Sequence, residues 1–159
     1  MTLGSAFSEA SPAIFGKGSS SISILWIAFA ILAIAVISDL RSRQIPDWLS
    51  VSLLVLAFVS TGLQLHSVGW LDLCLGCVLG FTVGAILFWA GGFGGGDVKL
   101  LASLGAVLGW KAELGVMFWV AIVGGAFALI ARVRREREYA YAPAIALGLL
   151  AFIVRGYLR

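Results

Sequence analysis

The sequence predicts an all-α, polytopic membrane protein with about six transmembrane helices. Three observations carry this. Of the 159 residues, 61% are hydrophobic and only 12% charged, about half the charged share of soluble domains. The mean hydropathy is +1.05. Apolar stretches of roughly 20 residues, long enough to cross a bilayer, fill most of the chain, and they lack the alternation of barrel strands.

Residues 1–21 are rich in Ser, Gly and Ala and read as a short flexible tail, leaving 22–159 as one membrane-embedded domain. Span 1 is expected over Ile22–Ser38. Lys17 before an apolar run with Ala33-Ile34-Ala35 imitates a signal peptide, but cleavage there would put Arg41 and Arg43 outside, against the usual charge bias. Span 2 is expected over Trp48–Leu65. Pro46 presets the backbone for its first turn, and Asp47 complements the helix dipole there. Span 3 covers Trp70–Ala90. Span 4, from Asp97 to Trp110, is short, about 21 Å at 1.5 Å per residue. Span 5 covers Glu113–Arg132, and span 6 runs from Tyr141 to Val154. Trp48, Trp70 and Trp110 fall at expected interfaces, where amphipathic rings are favoured. Gly76, Gly80 and Gly84, and again Gly105 and Gly109, recur at four-residue spacing and read as seams of close helix packing.

With six spans, Arg41, Arg43, Lys99, Arg132, Arg134, Arg135 and Arg137 share one face, and Lys17, Lys111, Arg155 and Arg159 the other. The richer face is expected to be cytoplasmic. The net charge of +3 and pI near 9.2 follow from these loop residues and from anionic lipid, and do not point to nucleic acid. The run Arg132–Arg137 reads as a topology anchor or as a docking point for an assembly partner. Cys74 and Cys77 have C-x-x-C spacing inside a span without a second pair, so they read as small packing residues, and no metal is expected. His66, the only histidine, reads as a solvated outer-loop residue, and Asp72 as a first-turn acid.

Two acids stand out. The segment Leu73–Gly96 has no ionisable group but the two thiols, and it ends at Asp97 in Gly91-Gly92-Phe93-Gly94-Gly95-Gly96-Asp97-Val98-Lys99. Acids bordering the membrane are candidate functional sites. Asp39 ends span 1 and opens Asp39-Leu40-Arg41-Ser42-Arg43-Gln44-Ile45-Pro46-Asp47. Two spans separate the acids, so both return to the cytoplasmic face. If they meet, they can hydrolyse a peptide bond. One takes a proton from water and the other donates to the carbonyl oxygen, because like charges about 3 Å apart resist double ionisation. That chemistry needs no cofactor. Taken singly, Asp97 also suits a helix cap, and Asp39 a loop acid paired with Arg41 or Arg43. The glycines favour the functional reading: a cap needs one, whereas a loop passing an extended substrate backbone can use all five, which lack side-chain bulk and reach positive φ readily. The Walker spacing is absent, which argues against a phosphate cradle.

Gly94-Gly95-Gly96-Asp97 resembles the G-x-G-D motif of membrane aspartyl proteases, and Asp97-Val98-Lys99-Leu100-Leu101-Ala102 resembles its prepilin peptidase branch, the type IV leader peptidases. The first acid before a basic, Ile-Pro-containing loop fits at Asp39–Asp47, and Tyr141–Gly148 resembles the start of that family's last span. Presenilin-like proteases match less well, since Ser38 rather than Tyr precedes Asp39. The resemblance implies a membrane aspartic endopeptidase of the bacterial inner membrane. It would cut the short basic leader from prepilin-like substrates at the cytoplasmic face, typically after a glycine, and serve pilus or secretion-system assembly. Asp39 and Asp97 would be the catalytic pair, Gly94, Gly95 and Gly96 the substrate-facing loop, and Lys99 a positioning residue. Asp47, the nearest free cytoplasmic acid, is a candidate for recognising the basic leader. Longer family members carry a cytoplasmic insert with paired C-x-x-C motifs and also methylate the new N-terminus. No room for that insert is seen between Asp39 and Pro46 or before span 1, so the chain resembles the short form of Flp/Tad-type pilus systems, and neither methyl transfer nor a zinc site is implied. The rival reading is a non-enzymatic scaffold or small transporter with a glycine hinge. Transport needs acids along a path, whereas these sit at one edge and no acid is expected at mid-membrane.

Overall fold

The computed structural model describes residues 18–42, 45–65, 67–89, 93–134 and 142–157. Among them all regular structure is helical: α1 (Gly18–Ser42), α2 (Asp47–Gly62), α3 (Trp70–Trp89), α4 (Gly95–Arg134) and α5 (Ala142–Tyr157). The expected all-α class holds.

Each helix is apolar on every side, and packing rather than hydropathy decides which face points inward. On α1 the buried residues Ala28, Leu32 and Ala35 recur every three to four positions, while Ile27, Ile34 and Ile37 face outward. On α2, Leu49, Leu53 and Ala57 keep the same period. Three helical segments are long and apolar enough to cross a membrane, Ile22–Arg41, Trp70–Trp89 and Gly95–Ala126, while α2 and α5 are shorter apolar helices. Large apolar side chains exposed on every helix, such as Val55, Leu71, Phe81 and Phe118, complete the surface of an integral membrane protein.

Helix α4 is 40 residues long and would measure about 60 Å as one rod, twice the bilayer's hydrocarbon core of about 30 Å. It is not one rod. Gly109 has φ 74° and ψ 162°, a conformation open to glycine because it lacks Cβ. The chain turns back there. Leu101 and Val120 line one cavity of about 370 Å³ with Leu87 and Phe93, although an unbroken helix would hold them about 28 Å apart. A Cβ on Gly105 would lie 3.4 Å from Glu113 Cδ. So residues 95–108 and 110–134 form an antiparallel pair, which makes six helical rods in the described chain.

Sequence reading separates those two rods at about Lys111; the structure divides them at Gly109, because the backbone rather than a polar loop makes the turn. Gly109 is therefore more than a packing residue. The other glycines are seams, as expected. A Cβ on Gly76 would meet the Gly105 carbonyl, and a Cβ on Gly105 the Gly76 carbonyl. A Cβ on Gly84 would stand 3.1 Å from Val98 Cα. Helix α3 thus runs antiparallel to residues 98–109 at backbone contact, which small residues permit without a hydrophobic drive between helices. Gly148 of α5 sits against the Val120 backbone. Helix α4 is the hub, touching α2, α3 and α5, while α1 packs on α2 and α5.

Two ends result. One holds the Gly109 turn, with Val68 and Asp72 against it. The other collects the C-terminal end of α1 and the N-terminal ends of α2 and α4. The basic residues Arg135 and Arg137, with Arg43, His66, Gly91, Gly92, Tyr141, Arg159 and residues 1–17 of the expected tail, lie outside the described residues, as do the side chains of Arg132 and Arg134.

Candidate active site

Asp39 lies on the same inward stripe of α1 as Leu32 and Ala35, one turn beyond Ala35, and is 8% exposed. Helical spacing alone carries the carboxylate into the bundle. The sequence places Asp39 at the opening of a loop, but α1 continues to Ser42, so Asp39 is held within the last turn of a helix.

Asp97 enters from α4 and is 7% exposed. Gly94 precedes the helix as its cap, Gly95 and Gly96 are its first two residues, and Asp97 is the third. The Gly94 N–H donates to Asp97 Oδ2 at 3.0 Å, and the Asp97 N–H donates back to the Gly94 carbonyl at 3.1 Å. This is the acidic half of a capping box. The helix-cap reading is therefore true of one oxygen. The other, Oδ1, is buried and accepts no hydrogen bond among the described residues.

The glycines act by lacking bulk. Among the described residues only Gly109 has a glycine's positive φ, so Gly94, Gly95 and Gly96 do not use the conformational freedom expected of them. A Cβ on Gly96 would stand 2.9 Å from Ile45 Cβ, one on Gly94 3.3 Å from Asp97 Oδ2, and one on Gly95 would meet nothing within 4 Å. Gly96 admits the Ile45 side chain, Gly94 leaves room for the carboxylate, and Gly95 leaves the backbone open.

Asp39, Ile45, Asp47, Gly94, Gly95, Gly96 and Asp97 line one cavity of about 490 Å³. The Asp39 and Asp97 carboxylates are near enough to interact electrostatically. Asp47 opens α2 directly after Pro46, whose φ of −61° and ψ of 132° start the helix. Lys99 does not line the cavity; its Nζ donates to Asp47 Oδ1 at 2.8 Å. The structure therefore brings together six of the seven residues singled out in the sequence, with Lys99 tied to one of them. Among the described residues, no three His, Cys, Asp or Glu side chains gather as metal ligands would. What the arrangement offers is two buried carboxylates beside open backbone at one end of a bundle.

One acid escapes the sequence reading. Glu113, taken as the start of a span, is fully buried, and both its carboxylate oxygens lack a hydrogen-bond partner among the described residues. Acids are therefore not confined to the Asp39–Asp97 end of the bundle. The signal is the glycine turn: Glu113 comes one helical turn after Gly109, on the side facing Gly105.

A family model, the type IV leader peptidase family, matches residues 26–129. A prepilin leader peptidase/N-methyltransferase of Burkholderia pseudomallei (strain 1026b) is 31% identical, over 91% of this chain and 50% of the relative. Proteins of the same name from Escherichia coli (strain K12) and Bacillus subtilis (strain 168) are 31% and 29% identical, over 84% and 80% of this chain and 63% and 54% of their own lengths. The chain thus spans about half to two thirds of these curated relatives. No solved structure matches it.

Proposed function

Since the chain belongs to the type IV leader peptidase family, we propose that it is a membrane aspartic endopeptidase that removes the short basic leader from prepilin-like precursors. The observation that carries this reading is the cavity in which Asp39 and Asp97, from helices far apart in sequence, are both buried beside the Gly94–Gly96 backbone.

In this reading one carboxylate takes a proton from a water molecule, which attacks the scissile carbonyl. The other, protonated, donates to the carbonyl oxygen and so stabilises the charge that develops there. Collapse of the tetrahedral intermediate passes a proton to the leaving amine. Asp97 suits the task because Oδ2 is anchored by the Gly94 N–H while Oδ1 is left to react. The precursor's extended segment, between leader and apolar helix, lies along Gly95, where nothing stands within 4 Å of a would-be Cβ. Its apolar helix packs against the lipid-facing spans, and Asp47 receives positive charge from the leader.

The site faces the cytoplasm and the chain resides in the bacterial inner membrane, in line with the excess of basic residues on that side. Pilus-assembly proteins and anionic lipid are the expected partners. The proposal covers peptide cleavage; methyl transfer belongs to the names of the longer relatives.

The test is cleavage by the full chain in membranes, with a prepilin precursor from the same genome. The expected products are leader and mature protein, whose masses sum to the precursor plus one water, formed at the same rate with and without a chelator. A precursor left whole by an enzyme shown to be folded in the membrane would refute the reading.

A further inference from the structure

The pair between Asp47 and Lys99 joins two segments that frame the cavity. Residues 45–47 and 96–99 are joined by an apolar contact, Ile45 on Gly96, and by an ion pair, Lys99 Nζ to Asp47 Oδ1 at 2.8 Å. The apolar contact is tight. The ion pair is open to water, with side chains 57% and 70% exposed, and such pairs hold weakly against competing ions. Of the three acids lining the cavity, Asp39 and Asp97 are buried and only Asp47 stands at the rim. Lys99 follows Asp97 by two residues, about 200° round the helix, so its ammonium turns away from the buried acids and towards Asp47.

We propose that Asp47 is the subsite for a lysine or arginine side chain of the leader, and that Lys99 fills this subsite in the substrate-free enzyme as a tethered stand-in that the leader displaces. The proposal deepens the peptidase reading and rests on it. The geometry fits a cation: the subsite is an exposed carboxylate, already satisfied by an ammonium. Exchange keeps the number of ion pairs at Asp47 constant.

The experiment uses the full chain in proteoliposomes and two precursors, one with a lysine-rich leader and one with glutamine at the same positions. The readout is the ratio of their kcat/KM values. Lys99→Met, with Lys99→Gln as a second neutral replacement, removes the competitor and is expected to raise the ratio by about fivefold, the scale of an exposed ion pair. Asp47→Asn removes the subsite and is expected to bring the ratio close to one. If the pair is only a structural tie, both substitutions weaken the same contact and move both precursors alike. Any result in which the two variants shift the ratio in the same direction, or not at all, overturns the proposal. Failure of the wild type to cleave either precursor would instead strike the peptidase reading beneath it.

Discussion

Asp97 divides its work between its oxygens. Oδ2 closes the first turn of α4 through Gly94, while Oδ1 stays buried without a partner among the described residues, so the group that anchors the helix keeps one oxygen for the proposed chemistry. The acidic residue types and their glycine neighbours were legible in the sequence, because an acid at the edge of an apolar run is costly and conspicuous. Which atom does what was not, since it depends on where the helix starts. Glu113 was illegible for a different reason. Next to Trp110 and Lys111 it reads as an interfacial residue, and only the turn at Gly109 carries it inside. A buried carboxyl group without partners is a liability of about 1–3 kcal/mol. Glu113→Met is therefore expected to stabilise the protein by about that amount, read from thermal unfolding in detergent. Destabilisation would mean that the carboxyl group has a role in holding the bundle.

At the scale of elements, the seam between α3 and the first rod of α4 sets the position of Asp97. Gly76 and Gly105 face one another at backbone contact, which fixes the axial register of α4 and hence the depth of its first turn. Neither backbone can yield to a methyl group as a flexible side chain would. Gly105→Ala is expected to destabilise the protein by about 1–3 kcal/mol and to lower processing with it, measured by thermal unfolding alongside cleavage. Wild-type stability in this variant would show that the helices are not in contact there. The four-residue glycine spacing announced the seam in advance. It could not separate Gly105, which packs, from Gly109, which turns the chain with φ 74°, because both are glycines at one spacing and only the tertiary contacts distinguish them. Helix ends were legible to within a few residues; the error that mattered was at Ser38, beyond which α1 continues far enough to hold Asp39 on its inward face.

For the whole molecule, the site exists only through the fold. Asp39 and Asp97 are separated in sequence by α2 and α3, and they meet because two antiparallel crossings return the chain to the same end. Parity of spans predicted this without coordinates. The relation of Asp47 to Lys99 was beyond it, because span counting assigns residues to a face and not to a partner. The central claim is that the two carboxylates act as one unit, so each is worthless without the other. Processing rates of Asp39→Asn, Asp97→Asn and the double variant, each shown to be folded in the membrane, test it most directly. Each single variant is expected to fall by about a thousandfold, the scale of general acid–base catalysis, and the double variant to fall no further than either, as for residues acting together. Losses that multiply in the double variant, or a single variant that processes precursor at the wild-type rate, would contradict the account.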